Sequence, residues 1–431
     1  MPPPTRIRTW KDTLENLAAL GNLARTCKTL EQLTTPMLFE RVEVSVFAPA
    51  SFVQLIRHFS RFGHLATHVR YLTLGSVGDP STLSASQASF LLQEGQRLGL
   101  KRLPERLDLS DPVEPRSMLI DVLLCQVLTI RKLVISLPQH LYLQASVSPR
   151  VLSYAARLPD SFTLGSLREI EAHSIDPELS ADSFERASLT ALIRLAPALT
   201  HLRVGFCDGT APQGIIQSPL PELQDLHLFE GMIEDLTAIA KFCPRLQRCR
   251  LGAGVATDPS KGQFYRGLYF DAQSNPHSPL NALLPLSATL HDLDVNPSGL
   301  LVLDIRALPY LAPFTALRSL RWTFYRWPDG DNTALLDKLL TPALESLCLG
   351  GPEMPVYDVA ALLHERVRSG RFPGLRRFRY LLVSKELEPG VADSIVNLFE
   401  GTGVTCGPAV GPEIDKLRAG MFPPRPARED E

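Results

Sequence analysis

Neither sign of charge dominates this 431-residue sequence: 44 lysines and arginines stand against 46 aspartates and glutamates, for a formal net charge of −2. The global basic field that would draw in nucleic acid is therefore missing. Long apolar runs are missing as well. The best candidate, Met118 to Ile130, falls short of the roughly 20 residues a bilayer requires and contains Asp121 and Gln126. Met1 to Trp10 has no apolar stretch of the kind a secretion signal carries. The seven cysteines are an odd number, show no disulfide rhythm and form no C-x-x-C pair. No Asn-x-Ser/Thr acceptor exists, since Asn296 is followed by Pro297. These features predict a cytoplasmic or nuclear protein, with no membrane and no nucleic acid among its partners.

Motifs that carry chemistry are also scarce. The sequence has no G-x-x-x-x-G-K-[ST] phosphate loop and no G-x-S-x-G elbow. Gly401, Gly403 and Gly407 do not have the spacing of a dinucleotide fingerprint and read as a surface loop. His64 and His68 lie four apart near His58, without the glutamate of a zinc-protease helix, and read as surface histidines. Cys243 and Cys249 resemble a ligand pair only until the repeat is considered, in which Cys249 takes an apolar slot. No catalytic residue, cofactor or metal is therefore expected, and an enzyme with an unrecognised site is the least favoured reading.

What the chain does have is enough apolar material for a core, at 45% hydrophobic with a mean hydropathy near zero, and a recurring phrase, L-x-x-L-x-L. Leu199, Leu202 and Val204 follow Pro197; Leu223, Leu226 and Leu228 follow Pro221; Leu246, Cys249 and Leu251 follow Pro244. Leu344, Leu347 and Leu349 follow Pro342, and Leu375, Phe378 and Tyr380 follow Pro373. Copies without the proline are Leu167, Ile170 and Ala172; Leu290, Leu293 and Val295; and Leu317, Leu320 and Trp322. Weaker copies are Val69, Leu72 and Leu74, and Ile130, Leu133 and Ile135. From Leu167 the first positions advance by 32, 24, 23, 44, 27, 27 and 31 residues, and the longest interval holds a Gly/Pro/Ser/Asn-rich stretch, Gly252 to Pro285, expected to be an inserted loop.

The spacing has a physical cause. The last two apolar positions differ by two and so share one face of a short strand. Between strands the period turns helical, as in Leu189, Leu192, Ile193 and Leu195, in Ile233, Leu236, Ile239 and Ala240, and in Val359, Leu362, Leu363 and Val367. Asp331 or Asn332 is placed to cap a helix over Leu335 to Leu340. A single strand–helix unit cannot bury its own apolar face, so neighbours must stack.

On these residues the chain resembles the leucine-rich repeat family in its irregular form, over roughly residues 65–385. The resemblance implies an α/β solenoid, with parallel strands on the concave side and helices on the convex side. It departs from the family where an asparagine or cysteine usually follows the last apolar position, which here appears only as Cys207; elsewhere that place holds Gly231, Gly254, Ser298, Tyr325 or Pro352.

A small helical segment precedes the repeats. Leu14, Leu17, Leu20 and Leu23 form one stripe, and Cys27, Leu30 and Leu33 continue it. Pro36 is expected to end the helix, and Leu38, Phe39, Val42 and Val44 to form a strand-like exit. The phrases Leu23-Ala24-Arg25-Thr26-Cys27-Lys28-Thr29-Leu30 and Thr35-Pro36-Met37-Leu38-Phe39-Glu40-Arg41-Val42 resemble the second half of an F-box, the module that docks to the linker subunit of cullin-type ubiquitin ligases. The family's Leu-Pro start is absent from Met1 to Thr13. The resemblance points to Leu20, Leu23, Leu30 and Leu33 as linker contacts. The expected divisions are 1–45 F-box-like, 46–400 repeat solenoid with an insertion near 252–285, and 401–431 a largely disordered tail.

In such a solenoid the strand positions between the leucines face outward on the concave side. They are Glu169 and Glu171, His201 and Arg203, Asp225 and His227, Arg248 and Arg250, Asp292 and Asp294, Ser319 and Arg321, Ser346 and Cys348, and Arg377 and Arg379. Cys348, unlike Cys249, should be exposed. Adjacent repeats alternate in charge, which either pairs them laterally or selects a partner. The expected function is a protein-binding adaptor, the substrate-recognition subunit of a cullin-type ubiquitin ligase. The alternative is a stand-alone repeat scaffold without ligase association.

Overall fold

A computed structural model describes residues 19–44, 49–74, 83–109, 113–137, 158–159, 161–174, 183–205, 216–229, 234–252, 279–296, 310–324, 327, 331–351, 353–381 and 390–409. The chain divides into two compact units. The first comprises Met1–Ala172 with Ala187–Ala198, and the second His173–Arg186 with Leu199–Glu431. Among the described residues, no helix is long and apolar enough to cross a membrane.

The first unit begins with the described part of α1, residues 19–24, followed by α2 (Lys28–Phe39) and β1 (Arg41–Val44). Next come α3 (Pro49–Arg61), α4 (Gly63–Ala66), β2 (Tyr71–Leu74), α5 (Ala85–Arg97), α6 (Val113–Gln126), β3 (Lys132–Leu137) and β4 (Glu169–Ser174), whose start lies in this unit. β1 pairs with β2 and β2 with β3, all parallel. Stacking is visible in the backbone. The Glu40 carbonyl accepts from the N–H groups of both Arg70 and Tyr71, at 2.9 and 3.0 Å. Arg70 does the same for Arg131 and Lys132, and Arg131 for Arg168 and Glu169. Each turn thus hands one carbonyl to two successive donors of the next, which holds the register before any side chain contributes.

α6 is the apolar run that is too short for a bilayer. Met118, Leu119, Ile120, Val122, Leu123 and Leu124 are all buried, because α3 and α5 both pack against it. A polar knot joins these helices. Ser60 of α3 donates to Glu94 of α5 at 2.7 Å, and Gln126 of α6 donates to the same carboxylate at 3.0 Å. Arg97 Nε donates to Glu94 Oε2 at 2.8 Å. Burial pushes the Glu94 carboxyl up, but the hydrogen bonds from Arg97, Ser60 and Gln126 outweigh it and hold it below its ordinary value. At its N-terminus, α5 is closed by a capping box between Ser84 and Gln87.

Pro36 does not end its helix: α2 runs through it to Phe39. Leu38 and Phe39 are therefore helical, and only Val42 and Val44 of the expected exit form the strand. The proline ring sets a φ that a helix accepts, at the cost of one backbone hydrogen bond. The last turn is drawn onto α3, where Phe39 stacks on His58 at 6.0 Å and meets Phe59 at 6.1 Å. Leu14 and Leu17 lie outside the described residues.

The second unit carries β5 (His201–Gly205), β6 (Asp225–Phe229), α8 (Glu234–Phe242), β7 (Arg248–Gly252), a 3-10 helix (Pro279–Leu286), β8 (Asp292–Asn296) and β9 (Ser319–Thr323). They are followed by α9 (Asn332–Leu339), β10 (Ser346–Gly350), α10 (Val356–Arg368), β11 (Arg377–Leu381), α11 (Val391–Leu398) and β12 (Thr405–Pro408). α7 (Ser183–Arg194) is divided between the units. β5 to β12 lie in sequence order, each parallel to the next. The same carbonyl relay recurs at Thr200, Gln224, Gln247, His291, Arg318 and Glu345.

Register brings the recurring apolar positions into two columns. One contains Leu202, Leu226, Cys249, Leu293, Leu320, Leu347, Phe378 and Cys406. The other contains Val204, Leu228, Leu251, Val295, Trp322, Leu349, Tyr380 and Pro408. From Leu202 to Phe378 the first column is at most 2% exposed. Helices supply the opposing apolar side chains, among them Leu236, Ile239, Leu335, Leu336, Leu339, Val359 and Leu363. Asp331 caps α9, accepting from the Thr333 N–H at 2.8 Å, while Asn332 Oδ1 accepts from Trp327 Nε1 at 3.0 Å.

Three expectations change here. The stretch read as an inserted loop ends in the 3-10 helix Pro279–Leu286, which buries Leu280, Leu283 and Leu286; residues 253–278 lie outside the described set. The tail read from 401 starts instead as structure: Gly401 and Gly403 take positive φ in a turn, and β12 follows with Cys406 buried. Residues 410–431 lie outside the described set. The sheet also has a first and a last strand that the leucine pattern hides, entered by Phe39–Val42–Val44 and Gly403–Cys406–Pro408, both fixed by register.

Close approach explains one glycine pair. A Cβ on Gly350 would sit 2.6 Å from Leu381 Cβ and 2.8 Å from Leu381 O. Gly351, at φ +152°, donates its N–H to Leu381 O at 3.2 Å, and Gly350 O accepts from Phe324 N at 2.7 Å.

Truncating the column is therefore expected to be costly. Leu347→Ala should lower the unfolding free energy by about 2–5 kcal/mol, while Ser346→Ala beside it on the opposite face should change it by less than about 0.5 kcal/mol. Urea-unfolding midpoints of the two variants check the contrast.

Candidate functional site

Opposite the buried columns, the parallel sheet presents a second face, made of the alternate strand residues. In the second unit these form two lateral rows. The first reads His201, Asp225, Arg248, Asp292, Ser319, Ser346, Arg377, Thr405. The second reads Arg203, His227, Arg250, Asp294, Arg321, Cys348, Arg379, Gly407. Every candidate that the spacing placed on these strands lies in one of the two rows. Thr405 and Gly407 were missed, because β12 has no leucine triplet to mark it.

The rows are partly self-neutralised. Arg248 pairs with Asp225 at 3.0 Å and Arg321 with Asp294 at 3.5 Å, in both cases across one strand boundary. His201 Nδ1 shares a hydrogen bond with Thr200 Oγ1 at 2.8 Å. Outside the rows, Arg245 Nη1 donates to both carboxylate oxygens of Glu222, at 3.0 and 2.9 Å. On the helical side Arg366, only 6% exposed, holds Asp337 at 2.8 Å and the Thr333 carbonyl at 3.0 Å, tying α10 to α9.

In the first unit, Lys132 reaches Glu171 at 3.1 Å and Glu169 at 3.3 Å. Desolvation alone would lower the Lys132 pKa; hydrogen bonds and charge from Glu171 and Glu169 reverse that and hold it above the ordinary value. The same face carries Arg41, whose guanidinium lies 4.8 Å over the Tyr71 ring. Arg41 was not among the candidates, since no leucine triplet pointed to β1, and Tyr71 was not named although Val69, Leu72 and Leu74 marked β2; register places both in line with Lys132.

Cysteine chemistry follows burial. Cys249 is fully buried, and its thiol is pushed far up, as befits an apolar slot. Burial pushes Cys243 up to about 12. Cys348, expected to be exposed, is half-buried: it lies in register between Arg321 and Arg379, and burial raises its pKa. Cys207 lies outside the described residues, as do Gly231, Gly254, Ser298, Tyr325 and Pro352. His58 and His64 are exposed, and among the described residues no group of His, Cys, Asp and Glu is arranged to hold a metal ion.

The N-terminal candidates divide. Leu23 is 44% exposed and Leu33 63%, with Met37 at 56% one turn beyond Leu33. Leu20 and Leu30 are half-buried. α2 therefore carries uncovered apolar side chains on one side while its C-terminal end joins β1.

Compared with models of protein families and with curated proteins, the chain matches none.

Two measurements follow. The elevated Lys132 pKa means that its contribution to stability is whole below the ordinary lysine range, about 10.4, and is lost as pH rises through the folded value. Lys132→Met should cost under about 1 kcal/mol at neutral pH, and the gap from wild type should close in strong alkali; paired unfolding curves across that range would show it. Iodoacetamide at neutral pH should label exposed Cys27 before the other described cysteines and leave Cys243 and Cys249 unmodified until the chain is unfolded, as read by mass spectrometry of the peptides.

Proposed function

We propose that this chain is a leucine-rich-repeat solenoid, with its strands on the concave side and its helices on the convex side, that works as a protein-binding adaptor. In this reading a protein substrate lies on the open strand faces, and the N-terminal helices dock to the linker subunit of a cullin-type ubiquitin ligase. The chain is then the substrate-recognition subunit, cytoplasmic or nuclear, and performs no chemistry of its own.

The observation that carries the reading is the pair of lateral rows. Eight parallel strands hold polar side chains at fixed two-residue spacing over a span of about 34 Å, taking roughly 4.8 Å per strand step. A broad, shallow array of that kind suits another protein's surface. In-register apolar triplets and the repeated carbonyl relay support the solenoid. For the ligase half, the support is the uncovered apolar side of α2, where Leu33 and Met37 lie one turn apart.

One observation favours the stand-alone scaffold as a second reading. α2 ends in Phe39, the first apolar position of the first strand copy, and stacks on α3. It therefore also serves as the cover that a repeat array needs at its open end.

Purified linker–cullin complex, titrated against the full chain, separates the two readings. Saturable binding that is lost in Leu33→Ser/Met37→Ser, with an unchanged circular-dichroism melt, supports the ligase adaptor. No binding by the folded wild-type chain removes the ligase and leaves the scaffold.

A further inference from the structure

The open rows are not evenly balanced. In the second unit they hold six arginines (Arg203, Arg248, Arg250, Arg321, Arg377 and Arg379) against three aspartates (Asp225, Asp292 and Asp294), although the whole chain carries −2. The imbalance is sharpest at one end. Arg377 lies in register between Ser346 and Thr405, and Arg379 between Cys348 and Gly407. All four neighbours are neutral. Three cations elsewhere on the open face have carboxylates on the adjacent strand: Lys132 has Glu169 and Glu171, Arg248 has Asp225, and Arg321 has Asp294. Arg377 is exposed and Arg379 half-exposed; Arg379 Nη1 lies where a Cβ on Gly407 would come within 2.9 Å of it. Small neighbours thus leave both guanidinium groups open to an incoming anion.

We propose that the open face of β10, β11 and β12 binds a segment of the partner protein carrying acidic residues two positions apart, with Arg377 and Arg379 each taking one carboxylate. The inference rests on the reading of the open face as a protein-binding surface and names the chemistry of what it holds. The geometry is that of the protein's own pairs. Two side chains two apart on a strand are separated by about 6.6 Å on one face, and acidic residues two apart in an extended segment have the same separation. Glu169 and Glu171 display that spacing toward Lys132 within this chain. Arginine suits the task because its planar fork meets a carboxylate through two parallel hydrogen bonds.

The test is a polarisation titration of the full chain with a fluorescein-labelled peptide of alternating glutamate and serine, beside a peptide with glutamine in every glutamate position. The glutamate peptide should bind saturably and weaken steeply with salt, and the glutamine peptide should not bind. Arg377→Ser/Arg379→Ser should weaken the complex roughly tenfold or more. Ser346→Asp, which places a carboxylate in register with Arg377, should weaken it while leaving both arginines in place. Equal affinity for the two peptides, or affinity unchanged in the arginine variant, overturns the proposal. Tighter binding of a labelled single-stranded oligonucleotide overturns it in favour of phosphate. The linker assay reads Leu33 and Met37 of the other unit, so peptide failure with linker binding intact overturns the acidic specificity alone. Linker failure with saturable peptide binding removes the ligase and leaves the specificity standing.

Discussion

One turn carbonyl serving two donors of the next strand is the constraint on which the rest of this molecule depends. Glu40, Arg70 and Arg131 in the first unit, and Thr200, Gln224, Gln247, His291, Arg318 and Glu345 in the second, all accept from two consecutive N–H groups. Parallel strands have evenly spaced, slanted hydrogen bonds and a pairing that is slightly weak per residue. An anchor at the strand entry removes the freedom to slip. A slip by one residue would turn Leu226 and Leu347 outward and bring Asp225 and Ser346 into the core. The buried columns and the polar rows are thus two consequences of one register, and neither can change without the other.

Once register is fixed, packing decides where the sequence tolerates exceptions. Cys249 and Phe378 occupy slots that elsewhere hold leucine, and both remain fully buried. Trp322 fills the second column, and the aromatic packing continues through Phe324, at 6.1 Å, to Trp327, at 4.9 Å from Phe324. Bulk on one strand is matched by its absence on the next: Gly350 and Gly351 lie where a side chain would strike Leu381 or Phe324.

The strands were legible because two physical periods coincide in them: apolar residues alternate along the strand, and a third apolar residue always stands three positions earlier. Every triplet read from spacing proved to be a described strand with its entry turn. Copies whose apolar slots are filled by unexpected residues escaped. Phe39 is hidden behind Pro36, whose local signal says that the helix stops, yet tertiary contacts with His58 and Phe59 carry α2 past it. Gly403, Cys406 and Pro408 share no apolar signature at all; β12 forms because β11 offers it a hydrogen-bonded edge. The exposure of Cys348 was misjudged for a related reason. Spacing assigns a face, but burial on that face depends on what the flanking strands carry, and Arg321 and Arg379 flank Cys348 in the row. The knot of Ser60, Glu94 and Gln126 was illegible throughout, since its members are 32 to 66 residues apart and nothing local links them.

Lateral charge pairing on the open faces has a consequence for recognition. A cation held by its neighbour must give up that bond, or share it, before it can serve a partner, and the exchange returns little net free energy in water. Lys132, Arg248 and Arg321 are in that position. A cation flanked by serine, threonine, cysteine and glycine gives up nothing but hydration. On the proposed reading, selectivity on an otherwise uniform polar array arises where the internal pairing stops, as it does among the described residues at Arg377 and Arg379 of β11. The same register that builds the core thus also determines which surface charges are already committed and which, on the proposed reading, are left for a protein partner to match.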